Sequence, residues 1–299
     1  MNEIKKAIVP VAGLGTRFLP LSKVLPKELF PLVDKPVLQY IIEEAVASGI
    51  EEIIFTTRPD KKEVVEYFER YFRESPRLTE ILKKRQKNEL LEKLNGIEKM
   101  AEKIKFSQVY QKEPLGDGHA ILQTKDKVGG ETVAALWGDD VVESQIPCLL
   151  QLIRVFQKYQ KPVIALCRIP KERLPYYGVV AAQKVQKGVY GVYKIKKLVE
   201  KPQIDEAPSN LAVVGKYILT PRVFEYLAEA KPGKGGEILL SENLQKMINN
   251  GEEVMGYEIE GKWLECGNKA EWLKSHLYLT LKDPEFGPQL RKTLKEYLK

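Results

Sequence analysis

The sequence predicts an α/β fold: a doubly wound, mostly parallel, Rossmann-like sheet with a smaller attached sheet and C-terminal helices. Three observations predict it. Apolar strands alternate with segments of helical periodicity through the first half of the chain. A glycine-rich turn and an acidic pair each follow such a strand directly, where open α/β sheets bind ligands. Beyond about residue 178 the pattern changes to strands punctuated by glycine.

The elements follow in order. "KKAIVPVA" (5–12) reads as a buried strand. "VLQYIIEEAVASG" carries apolar residues at 37, 38, 41, 42, 45 and 46, one face of a helix closed by Gly49. "EEIIFTT" (51–57) is a second strand, and 61–72 a helix. "KIKFSQVY" (103–110) is a third strand, "DGHAILQTKDKV" (117–128) a short helix and "ETVAALWGDD" (131–140) a fourth strand. A helix over 151–159 precedes a fifth strand, "KPVIALCRI" (161–169). Residues 74–103 form a charged helical excursion, either a solvated insertion or a partner-contact arm. "YGVVAAQ", "VYKIKKLVE" and "LAVVGKYIL" are the strands of the attached sheet, and 268–299 are helices interrupted at Pro284. This divides the chain into a main domain, 1–272, and a C-terminal helical extension, 273–299.

Composition excludes several classes. The 299 residues are 43% hydrophobic, enough for a large core, and no run of 18 apolar residues suggests a membrane span. "MNEIKKAIVP" enters a strand directly, without the features of a signal peptide. The three cysteines, 148, 167 and 266, are odd in number and far apart, which suits a reducing cytoplasm. Two histidines are too few for the usual Cys/His zinc sites. The net charge of +7 comes mostly from lysines spread among glutamates, a solvated helix surface rather than a nucleic-acid face.

The glycine turn, "PVAGLGTRFLP", is open to three chemistries. A P-loop needs Gly-Lys-Ser/Thr, which is absent. A dinucleotide loop needs a third glycine where Phe18 stands; Asp34 has the spacing of a ribose-binding acid, but its segment holds three prolines. Nucleotidyl transfer onto a sugar phosphate fits. Gly13 and Gly15 permit close backbone approach, inward N–H groups form an anion nest, and Arg17, Lys23 and Lys27 supply cations.

"AGLGTRFLPLSKVLPKELFPLVDKPVLQY" resembles the signature of the sugar-phosphate nucleotidyltransferases. The resemblance continues in colinear order through "QKEPLGDGHAI", "LWGDDVV", "YYGVV", "LVEKPQIDEAPSNLAVVGKYIL" and "WLECGNKAEW", covering roughly residues 5–280. It points to the uridylyl-transferring branch. The implied fold is of the nucleotide-diphospho-sugar transferase type, with the attached sheet binding sugar. The implied reaction is UTP plus glucose 1-phosphate giving UDP-glucose plus pyrophosphate, assisted by Mg²⁺, in a homodimer or homotetramer.

The resemblance also implies roles. Ala12, Gly13, Leu14, Gly15 and Thr16 cradle the nucleotide, with Glu28 in nucleotide-side contact. Arg17 and Lys27 hold the triphosphate. Gln111 and Gly116 read the uracil, whose polar edge suits a side-chain amide. Asp139 is the first metal ligand and Glu265 the second. By strand alternation, Asp140 points elsewhere. Gly178, Glu200, Lys201, Asn210 and Gly215 take the sugar phosphate. His119 orders its loop and is not a general base. Three positions depart from the family pattern: Glu265 replaces an aspartate, Asp117 an apolar residue near the base, and Gly236 an acid. The competing readings are another nucleotide (such as dTTP) or hexose phosphate, a non-catalytic sugar-nucleotide-binding paralogue, and a nicotinamide dehydrogenase.

Overall fold

The computed structural model describes residues 3–71, 75–185, 191–233 and 235–298. The chain runs β1 (Lys6–Pro10), β2 (Pro31–Leu32), β3 (Lys35–Pro36), α1 (Val37–Ala47), β4 (Glu52–Thr57), α2 (Glu63–Tyr71), α3 (Pro76–Lys84), α4 (Asn88–Ala101) and β5 (Lys105–Tyr110). It continues through α5 (Asp117–Leu122), α6 (Lys125–Val128), β6 (Val133–Leu136), β7 (Asp140–Glu143), α7 (Cys148–Tyr159), β8 (Val163–Arg168), β9 (Gly178–Lys184), β10 (Val192–Glu200) and β11 (Leu211–Leu219). The last elements are α8 (Pro221–Ala228), α9 (Leu240–Asn249), β12 (Met255–Glu258), β13 (Lys262–Glu265), α10 (Lys269–Lys282) and α11 (Gly287–Tyr297). Phe72, the last residue of the helix expected over 61–72, lies outside the described residues.

Nine strands make one sheet, in the order β5-β4-β1-β6-β11-β8-β12-β10-β9. The half built on β1 is parallel, through pairs with β4 and β6 and from β4 to β5. The other half is mixed: β11 runs antiparallel to β6 and β8, whereas β12 is parallel to β8. The strands expected to form an attached sheet are therefore continuous with the main one. The reason is β11, whose nine residues are all buried and which needs a strand partner on each side.

Apolar residues on alternate positions supply both faces. Ala7, Val9, Ile53, Phe55, Ala134 and Leu136 face one core with α1, α2 and α7. Ile8, Ile54, Val133, Ala135, Ile164 and Leu166 face a second core with α5, α8 and α9. This is the doubly wound arrangement. One cation enters the first core: Lys216 of β11, fully buried, pairs with Glu44 of α1 at 3.0 Å. The other oxygen of that carboxylate accepts from Leu149 N at the start of α7.

The strand expected over 131–140 breaks at Trp137. Trp137 N donates to Gly215 O at 2.8 Å, the chain turns, and β7 leaves the main sheet to pair with β13. The excursion folds as α3 and α4, which pack on each other; α3 buries none of its residues. The helix at the C-terminal extension begins at Lys269, one turn before the expected 272/273 boundary, and its N-cap is Asn268, whose side chain accepts from Glu271 N.

Candidate active site

A cleft of about 530 Å³ opens beyond the carboxyl ends of β1 and β6. Pro10 and residues 12–18 form one wall, Gln111, Pro114, Gly116 and Asp117 a second, and Tyr177, Gly178, Glu200 and Lys201 the wall opposite. Of the residues assigned roles at the site, all but one line it: Ala12, Gly13, Leu14, Gly15, Thr16, Arg17, Lys27, Glu28, Gln111, Gly116, Asp139, Gly178, Glu200, Lys201, Gly215 and Glu265 are present.

The exception is Asn210. It is exposed, and its Oδ1 accepts from Arg168 Nη1 at 2.8 Å, away from the cleft. Asn210 stands just before β11, whereas Gly215 lies at that strand's irregularity; five residues of strand separate them, about 16 Å. Lys23 is likewise exposed outside the cleft.

The glycine loop is held from within. Gly15 sits in the left-handed region at φ 67°, and its carbonyl accepts from Ser22 Oγ at 2.7 Å. Phe18, the residue that spoils a dinucleotide fingerprint, is buried edge-on against Phe30 at 5.0 Å, and Phe30 packs in turn on Trp272 of α10. Phe18 thus anchors the loop to the C-terminal helix.

Lys27 donates to Asp139 Oδ2, and the pair forms the charged centre of the cleft. Burial works against the Lys27 charge, but the Asp139, Glu28 and Asp140 carboxylates outweigh it and raise the lysine's hold on its proton. Burial likewise works against ionised Asp139, yet Lys27 and Arg17 keep that carboxyl below its usual range. Asp140 does not share this role. Its Oδ1 accepts from Trp263 Nε1 at 2.7 Å and its Oδ2 from Gly215 N at 3.1 Å, so it fixes the floor. Burial, then Asp139 and Glu265, push Asp140 up to about 7. A side chain at 215 has no room there: its Cβ would stand 2.2 Å from Asp140 Oδ2.

β13 pairs Glu265 with Asp140, which carries Glu265 to Asp139. A Cβ on Gly267 would fill the gap between the two carboxylates, 2.9 Å from Asp139 Oδ2 and 3.3 Å from Glu265 Oε1. Glu265 Oε2 accepts from Tyr177 OH and from Arg173 Nη2, the latter at 3.3 Å, and Oε1 accepts from Asn268 Nδ2 at 3.0 Å. Burial raises its carboxyl despite these donors. Two carboxylates with room for further oxygens fit Mg²⁺, which takes one or two protein ligands beside water and phosphate. Among the described residues, no group of three or more His, Cys, Asp or Glu side chains forms a metal site, so a closed all-protein cage is not on offer.

Gln111 is buried. Its Nε2 donates to Gly116 O at 2.9 Å and lies 3.1 Å from His119 Nδ1, while His119 Nε2 lies 3.0 Å from the Gln123 amide. A carbonyl only accepts, so the Gln111 NH₂ must face Gly116 and its carbonyl oxygen must face away. His119 orders this chain of amides, as expected. Asp117 is structural as well. Its Oδ1 accepts from Gly118 N at 2.7 Å and from Leu240 N at 3.0 Å, capping α9 from a distant element.

On the opposite wall, Glu200 pairs in register with Gly178, and a Cβ at 178 would lie 3.4 Å from Glu200 Oε2. Lys201 follows in the left-handed region, φ 45°, with its N–H on Tyr177 O at 3.1 Å. A non-glycine residue is uncommon in that region; Lys201 lines the cleft at the end of β10, with its Nζ 3.4 Å from Glu200 Oε1. Sequence reasoning missed Asp140, Arg173, Tyr177 and Asn268 as supports of the acidic pair. Tyr177 stands within "YYGVV" and Asn268 within "ECGNK"; Arg173 carries no local signal.

A nucleotide-sized cleft with a glycine loop, a Lys–Asp centre and an opposite wall carrying a Glu–Lys pair defines a transferase of nucleotidyl groups. The model of the nucleotidyl transferase family matches residues 6–281, and the chain belongs to that family. The UTP–glucose-1-phosphate uridylyltransferase of Bacillus subtilis (strain 168) is 40% identical over 290 residues, covering 97% of this chain and 96% of the relative. That of Staphylococcus haemolyticus (strain JCSC1435) is 40% identical over 296 residues, 99% of both chains. A solved UDP-glucose pyrophosphorylase complexed with UDP-glucose superposes with TM-score 0.82 at 37% identity, over 94% of this chain and 100% of that one. A UTP-bound UGPase from Acinetobacter baumannii gives 0.85 at 33% identity, over 98% and 99%. Within the family, the chain belongs with the UTP–glucose-1-phosphate uridylyltransferases.

Proposed function

We propose that this protein transfers the uridylyl group of UTP to glucose 1-phosphate, forming UDP-glucose and releasing pyrophosphate. The observation that carries the reading is a single cleft with the glycine loop and Lys27–Asp139 on one side and Glu200–Lys201 on the other. It holds two anionic substrates against each other.

A phosphate oxygen of glucose 1-phosphate attacks the α-phosphorus of UTP; the bond to the bridging oxygen breaks in line, and pyrophosphate carries away its electrons. No covalent intermediate on the protein is required. The chain's work is therefore positioning and charge compensation. The N–H groups of residues 12–15 face the nucleotide, with Arg17 on the triphosphate. Lys27 stands where negative charge builds on the transferred and departing phosphates. Gln111 meets the uracil edge, Glu200 accepts from sugar hydroxyls, and Lys201 takes the sugar phosphate. Asp139 and Glu265 would hold Mg²⁺, which when bound supplies further neutralisation of phosphate charge. Asp117 is occupied by backbone N–H groups, which favours a structural role over a choice of base. A homodimer or homotetramer belongs to the same reading, supported by Leu273 and Leu277, exposed one turn apart on α10. No helix among the described residues is long and apolar enough to cross a membrane.

The test is pyrophosphate release from a grid of UTP or dTTP against glucose, galactose or N-acetylglucosamine 1-phosphate. Release concentrated on UTP with glucose 1-phosphate is expected. Asp139→Ala and Lys27→Met are each expected to lower kcat about 10²–10³-fold while the protein stays folded. Preference for another pair would overturn the substrate assignment, and no release from any pair would overturn the activity.

A further inference from the structure

Behind the glycine loop lie two cations that the reaction does not use. Both come from the turn between β4 and α2. Lys61 Nζ donates to Val11 O at 2.6 Å, to Gly13 O at 3.3 Å and to Glu28 Oε2 at 2.9 Å. Arg58 Nη1 donates to Ala12 O at 3.2 Å. Three successive carbonyls of the loop are thus held on the side away from the cleft. Lys61 is 6% exposed and does not line the cleft, so it acts through the loop.

The consequence follows from peptide geometry. In a trans peptide the C=O of one residue and the N–H of the next point to opposite sides. Drawing the carbonyls of 11, 12 and 13 toward β4–α2 turns the N–H groups of 12, 13 and 14 the other way. Those three residues line the cleft. Each cation is balanced by its own carboxylate, Lys61 by Glu28 at 2.9 Å and Arg58 by Asp60 at 3.0 Å, so their hold on the loop is through its carbonyls.

We propose, on the nucleotide reading above, that Lys61, assisted by Arg58, is a positioning residue for the nucleoside triphosphate. It preorganises the loop's N–H groups into an anion nest and ties the loop to Glu28. A bare loop would have to order itself on each binding event, so the effect falls on nucleotide affinity and leaves the sugar phosphate wall alone.

The experiment is calorimetric titration of UTP and of dTTP into the full chain, its Lys61→Met variant and its Arg58→Met variant, with steady-state kinetics alongside. Losing hydrogen bonds to a charged donor is expected to weaken UTP binding roughly 10–100-fold in Lys61→Met and roughly 3–10-fold in Arg58→Met. KM for glucose 1-phosphate at saturating UTP stays within twofold, as does kcat, about the scatter of the measurement. Wild-type UTP affinity in a folded Lys61→Met variant overturns the proposal, as does an equal rise in KM for both substrates. Should Lys61→Met fail to fold because Glu28 is left unpaired, Arg58→Met, whose side chain is 20% exposed, decides alone: selective loss of nucleotide affinity supports the proposal, unchanged affinity overturns it. Wild-type protein that takes up dTTP but not UTP defeats the substrate assignment, and the variants then test the loop with dTTP.

Discussion

Asp117 shows how a single carboxylate in a substrate cleft can be committed to architecture. Leu239, which stands at the N-cap of α9, has no side-chain acceptor, and Asp117 supplies one from 117 to Leu240. Burial, reinforced by Glu200 and Glu237, pushes Asp117 up to about 6, against the two backbone donors. The folded protein therefore holds this proton more tightly than the unfolded chain. The stability linked to it is present below the ordinary carboxyl range and is lost as pH rises through about 6. Asp117→Asn keeps an accepting oxygen and discards the charge. Its melting temperature relative to wild type is expected to climb by roughly 2–5 °C between pH 4.5 and pH 7.5. Paired thermal melts across that range check it, and a difference that does not change with pH would exclude the buried charge as the cause.

The glycine loop separates local conformation from ligand space. A Cβ at Gly13 would have nothing within 4 Å, whereas Gly15 has φ 67° and would bring its Cβ 3.2 Å from Ser22 Cβ. Gly13→Ala is expected to leave the melting temperature within 1–2 °C and to raise KM for UTP about tenfold or more, because the added methyl enters space meant for the nucleotide. Gly15→Ala is expected to cost about 1–2 kcal/mol of stability from the left-handed conformation alone. Thermal melts with kinetics on both variants distinguish the two. Elements whose signals are local are legible in the sequence. The runs 192–200 and 211–219 are strands with those bounds, because apolar runs between polar and glycine breaks need nothing else. Helices α8 and α9 and strands β12 and β13 were not legible. α9 takes its cap from Asp117, and β13 exists by pairing with β7.

For the molecule as a whole, the C-terminal helices differ in what they carry. Trp272 of α10 packs on Phe30, and Trp272 Nε1 donates to Pro31 O at 3.2 Å, so α10 braces the glycine loop. α11 buries only Gly287. Removing residues 284–299 is expected to leave pyrophosphate release within twofold and the melting temperature within about 3 °C. Activity and thermal unfolding of the truncated chain check it; a collapse of either would show that α11 supports the core. The sequence by itself determined the alternation of strand and helix, the two-faced core and the chemical kinds gathered at strand ends: glycines for backbone approach, cations for phosphate, carboxylates for a divalent ion. Those depend on residue type and local period alone. Only the tertiary structure decided that the second sheet is continuous with the first, that Asn210 stays outside while Gly215 lies in the floor, and that Arg58 and Lys61 back the loop. Each of these rests on pairing between segments distant in the chain, where strand register and buried charge, rather than local pattern, choose the neighbour.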